Sequence, residues 1–149
     1  MKTKFIKLKP ISTIEQWILF RTAGSAWMET LNLLENNKHE IPWTMFYVKP
    51  WVVSFCIELF IKSIAAHQDK MFNGKKYSHN VTGIIGDYEK SIPTFHKILN
   101  DKKLFNLITE YEKTIDTKFG ETSINIDGDE QVKLIRLIYD LEKEVIKYN

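Results

Sequence analysis

Glu58 and Lys62 stand four residues apart in the most apolar stretch of the chain. At that spacing two side chains share one helix face, and Glu before Lys is the favourable order for an ion pair. Val52, Val53, Phe55, Ile57, Leu59, Phe60, Ile61 and Ile64 surround them, so the pair is expected in an apolar setting. A charge kept there must be matched or hydrogen-bonded. As structure, the pair is a polar tether holding its helix in register. As function, it lines a cleft or an oligomer interface. A second group follows the Asn73-Gly74 turn: Lys75, Lys76, Tyr77, Ser78, His79 and Asn80, with Lys70 just before it. His79 at the start of a helix meets the positive end of the helix dipole, which disfavours imidazolium, so the neutral ring can accept a proton or cap the first turn. With the lysines and an adjacent aromatic ring it makes a compact basic turn of the kind that meets a phosphate. The plainer reading is a capping histidine beside solvated lysines.

Other reactive residues carry less. His39, His67 and His96 have no partner at metal-ligand spacing, and neither His-x-x-x-His nor His-Glu-x-x-His occurs, so no metal is expected. Asp127, Asp129 and Glu130 fall short of a calcium loop and read better as helix caps. Phosphate-binding glycine loops, Gly-x-Ser-x-Gly and the dinucleotide fingerprint are all missing, and no cofactor is expected. Cys56, the single cysteine, rules out an intramolecular disulfide and reads as core filling.

The elements that must position these residues are helices. Ser12 and Glu15 suggest a capping box, after which Trp17, Phe20, Gly24, Trp27, Leu31 and Leu34 recur at spacings of three and four, up to about Asn36–Asn37. Gly24 in that stripe implies close approach of a neighbouring helix. A second helix runs from about Lys49-Pro50 to Gln68, apolar nearly all round and therefore central. A short third helix starts at His79 or Asn80. Pro93 opens the next, which breaks or kinks at Asn100-Asp101 and closes at Gly120. The last is capped by Asp127 or Asp129 and buries Leu134, Ile135, Ile138, Leu141 and Val145. The expected fold is all-α: an antiparallel up-and-down bundle of four to five helices in one domain over residues 12–149, with residues 1–11 as an N-terminal arm.

Composition agrees with a single globular domain. The chain has 149 residues, 44% hydrophobic, and its 21 basic against 19 acidic residues argue against a polybasic nucleic-acid binder. Lysines at 2, 4, 7 and 9 interrupt any signal-peptide core, and Trp51–Ala66 reads as too short and too charged for a bilayer. A cytoplasmic protein without membrane contact is expected.

The order of these motifs resembles the HEPN family. Ile57-Glu58-Leu59-Phe60-Ile61-Lys62-Ser63 is similar to that family's Glu-Leu-x-x-Lys-Ser/Ala pattern, and Lys76-Tyr77-Ser78-His79-Asn80-Val81 is similar to the His-Asp-Leu pattern that opens its next helix. Asn80 replaces the usual Asp and Val81 the usual Leu. Lys118-Phe119-Gly120-Glu121 resembles the aromatic-Gly turn before the family's last helix. The resemblance implies a helical bundle that forms a homodimer, pairs with a nucleotidyltransferase or another protein, and serves in toxin–antitoxin, defence or stress-response systems. It places Glu58 and Lys62 on the long helix and His79 and Asn80 at the junction. Ribonuclease members carry an Arg followed after four to six residues by a His, and that motif fails here. Arg21 is followed by Ala26, Trp27 and Met28 at the required positions, and Arg136 by Leu141, Glu142 and Lys143. Lys62 with His67 has the spacing, but Lys lacks the bidentate clamp of Arg.

Three functions follow as expectations. The first is a non-catalytic HEPN-like binding module, dimeric as the resemblance implies, whose Lys75, Lys76, Tyr77, His79 and Asn80 contact a nucleotide, RNA or partner protein. The second is a metal-independent ribonuclease with His79 as acid or base and Lys76 steadying the phosphate. The third is a protein-interaction or immunity factor that binds no nucleic acid.

Overall fold

Nothing in Lys49–Gln68 interrupts a helix once Pro50 has been placed in its first turn, and in the computed structural model this stretch is one helix. The structure describes residues 15–36, 48–116 and 128–148. In chain order the helices are α1 (Gln16–Asn36), α2 (Lys49–Gln68), α3 (Gly74–Tyr77), α4 (Val81–Tyr88), α5 (Pro93–Asn100), α6 (Lys102–Asp116) and α7 (Gly128–Val145). There is no strand among the described residues. The all-α expectation holds. The count exceeds four to five because α3 is a single turn and the Asn100-Asp101 break divides one predicted helix into α5 and α6.

The core is built around α2, from Val52, Val53, Ile57, Phe60, Ile61 and Ile64 together with Leu31, Ile108, Leu134 and Leu141 from the other long helices. Burying a side chain of this size contributes about 1.5–3 kcal/mol. Helix α1 runs antiparallel to α2, as the pairing of Trp27 with Phe55 at one end and of Trp17 with Ser63 at the other shows. Between them Gly24 lets the helices close up: a Cβ there would lie 2.8 Å from Cε1 of the Phe60 ring. Helix α7 also runs antiparallel to α1, with Tyr139 bonded to Asn32 and Tyr148 against Trp17. The buried serines of α2 bind its neighbours. Ser63 Oγ donates to the Trp17 carbonyl (2.8 Å) and Ser54 Oγ to the Tyr111 carbonyl (2.9 Å).

By length and composition α2 is apolar enough to cross a membrane, which corrects the expectation that this stretch is too short and too charged. Most of that window is buried inside the fold, as for any central core helix. Glu15 stands just ahead of α1 and accepts a bond from the Trp17 indole; its proposed capping partner Ser12 lies outside the described residues. The same is true of the 1–11 arm, Gly120 and Asp127. Asp129 lies inside the first turn of α7 and is not the residue before it.

Candidate functional site

Helix α2 carries Glu58 and Lys62 on one face, 4% and 7% exposed, and Lys62 Nζ donates to Glu58 Oε1 at 2.6 Å. The ammonium also lies 5.9 Å from the centre of the Phe20 ring on α1. A pair this deep needs further partners for its remaining lone pairs. Glu58 finds one in His79, whose Nδ1 lies 3.0 Å from Oε2 and 3.2 Å from Oε1.

The chain is brought to that position by two asparagines. Asn73 Oδ1 accepts from the Lys75 and Lys76 N–H groups and starts α3, so the Asn73-Gly74 turn is the capped start of a one-turn helix. Tyr77 ends it. Its ring stacks on Phe72 (5.6 Å) and its hydroxyl donates to Asp87 (2.7 Å), which pushes the phenol up to about 12. Ser78 then takes φ 50°, a left-handed conformation that favours glycine, and reverses the chain. Asn80 Oδ1 accepts from the Gly83 N–H at 2.9 Å and caps α4. A Cβ at Gly83 would lie 2.6 Å from Asn80 Nδ2, so the cap requires glycine there. Asn80, not His79, is therefore the cap. His79 is left to turn back towards α2.

A carboxylate can only accept, so His79 Nδ1 carries the hydrogen of this bond, and Nε2 is the ring atom left for a ligand. The His79 side chain is 40% exposed. It opens onto a groove of about 320 Å³ lined by Tyr77, Ser78, Asn80, Glu112 and Lys113. Glu112 is held by Thr82, accepting from its hydroxyl (3.0 Å) and its N–H (3.3 Å). Lys113 reaches Glu110 only at 3.7 Å on an open surface, a weak pairing.

The structure thus joins Glu58, Lys62, His79, Tyr77 and Asn80, which sequence places in two separate groups. Lys75 and Lys76 are exposed on α3 and do not line the groove; Lys76 Nζ sits 5.4 Å over the Tyr77 ring. Glu112 and Lys113 were not among the expected residues. On an amphipathic helix such as α6 a charged pair looks like any solvated face, so no sequence signal marks Glu112 and Lys113.

The other histidines are engaged elsewhere. His67 stacks on Tyr148 (3.7 Å) with Trp17 edge-on, and His96 bonds Glu89 (2.7 Å) and Asn100 (2.9 Å). His39 lies outside the described residues. Among the described residues no three His, Cys, Asp or Glu side chains converge as a metal site would require. Cys56 is fully buried, and burial pushes its thiol up to about 12, which suits packing and not nucleophilic attack. In comparisons with known proteins, no family model, curated protein or solved structure matches this chain.

Proposed function

We propose that this chain is a non-catalytic, HEPN-like helical binding module whose groove at His79 receives a phosphate of a nucleotide or of single-stranded RNA. The observation that carries this reading is the imidazole hydrogen-bonded by the buried Glu58, its ring lining an open groove that Lys113 also lines. Because Lys62 compensates the Glu58 charge, the carboxylate orients His79 without making the groove strongly anionic. Lys75 and Lys76 add positive charge on the adjoining surface, where they attract an anion from a distance.

Fluorescence anisotropy with a labelled single-stranded RNA tests the reading. Lys113→Glu and His79→Ala are each expected to weaken binding about tenfold, roughly 1.4 kcal/mol. Lys143→Glu, an equal charge reversal on α7, is expected to act far less. Equal losses from all three variants would reduce the effect to net charge and refute the groove.

One observation favours a second reading, an RNA-cleaving enzyme centred on His79. A carboxylate bonded to imidazole Nδ1 is how a general base is held. Lys76, its expected phosphate partner, is not in the groove, so Lys113 would take that part. Cleavage of a mixed RNA pool in the presence of chelator, lost in a folded His79→Ala variant, would establish it.

A further inference from the structure

A neutral His79 cannot bind a phosphate through the nitrogen it offers. Glu58 holds the hydrogen on Nδ1, so the neutral ring, which lines the groove, is left with a lone pair at Nε2, and a lone pair repels a phosphate oxygen. Adding a proton to Nε2 turns the same atom into a charged donor, while Glu58 stabilises the cation that forms. We infer that the groove takes a phosphodiester only when His79 is the imidazolium, so that each phosphate bound brings one proton with it. Glu58 is the positioning residue that enforces this coupling. The inference rests on the phosphate-binding reading of the groove.

The charges around His79 leave it as the group that changes. On α2, Glu58 and Lys62 offset one another at 2.6 Å. On α3, Lys75 and Lys76 are solvated cations, and the Tyr77 phenol is held protonated by its bond to Asp87 of α4. On α6, Glu112 is tied to Thr82, and Lys113 lines the groove beside it.

The test is calorimetric titration with a single-stranded RNA lacking terminal phosphates, so that none of its own phosphates titrates near neutral pH. Two buffers of different ionisation enthalpy are compared at pH 7.5. The expected heats differ by about one proton per site, and affinity falls towards tenfold for each pH unit above the imidazole range. His79→Gln, which keeps a neutral donor, is expected to bind with neither buffer dependence nor pH dependence. The double variant Glu58→Leu/Lys62→Met removes the carboxylate without stranding the lysine, frees the ring to offer either nitrogen as a neutral donor, and is expected to take up less than one proton per site. Wild-type binding with no buffer dependence would overturn the inference, and so would proton uptake that persists in His79→Gln. Failure to bind RNA anywhere between pH 6 and 8 would instead overturn the phosphate reading itself.

Discussion

Removing Glu58 and removing Lys62 are expected to have unequal effects on stability, although the two residues form one ion pair. Glu58→Leu strands an ammonium that is 7% exposed and takes away the partner of His79 as well. Breaking a buried pair from one side costs about 3–5 kcal/mol. Lys62→Met keeps the packing of the lysine stem and leaves Glu58 still bonded to His79 at 3.0 Å, so its cost is that of one charged hydrogen bond, about 2 kcal/mol. The double variant buries two apolar side chains in place of two charges and is expected within about 1 kcal/mol of wild type. The coupling between the positions is then at least about 4 kcal/mol. Urea denaturation followed by circular dichroism reads this directly. At a slope of about 2 kcal/mol per molar, a loss of 4 kcal/mol moves the midpoint by about 2 M. A Lys62→Met variant as unstable as Glu58→Leu would refute the argument that His79 shares the carboxylate. A double variant as unstable as the sum of the singles would refute the pair itself.

Asn80→Ala removes the α4 cap and is expected to cost about 1 kcal/mol by thermal unfolding, with Gly83→Ala costing at least as much because its Cβ drives the asparagine away. Ser78→Gly relieves the left-handed backbone and is expected to raise stability by about 1 kcal/mol; the same change loosens the turn, so RNA affinity is expected to fall while the melting temperature rises. The phenols of Tyr77 and Tyr111 are both raised to about 12, by the Asp87 bond and by burial respectively. A folded-state pKa above the ordinary value near 10 means stability that is intact below pH 10 and lost as pH rises towards 12. Absorbance at 295 nm should show these phenols ionising together with unfolding, and Tyr77→Phe should remove the part due to Asp87.

The fold was legible where residue type alone decides. A helix apolar on every side has to be central, and α2 is. Gly24 in an apolar stripe demands a close neighbour, and the Phe60 ring is there. Asp101 was readable as a break because its carboxylate accepts from the Leu104 N–H to start a new helix. The site was legible only in halves. Glu58 and Lys62 are marked by their spacing and His79 by its turn, but nothing local joins them: the link is a bond across 21 residues of sequence, set by the strained turn at Ser78. His79 and Asn80 are adjacent polar residues at a helix start, and sequence cannot tell which of them caps. Asn80 takes that role because its short side chain reaches the Gly83 N–H, freeing the longer imidazole for α2.

The Glu58–His79 bond joins two parts of the molecule that open on different timescales. Amides in the middle of α2 are enclosed on all sides and can exchange with solvent only when the bundle itself unfolds. Residues 73–80 are held by a one-turn helix, two asparagine side chains and the contacts of Tyr77 with Phe72 and Asp87, and such a segment opens locally at smaller free energy. Each opening lifts His79 off the carboxylate while α2 stays folded, and briefly admits water to the Glu58–Lys62 pair. In hydrogen exchange the turn should therefore lose protection long before α2 does, and an occupied groove should slow the turn alone.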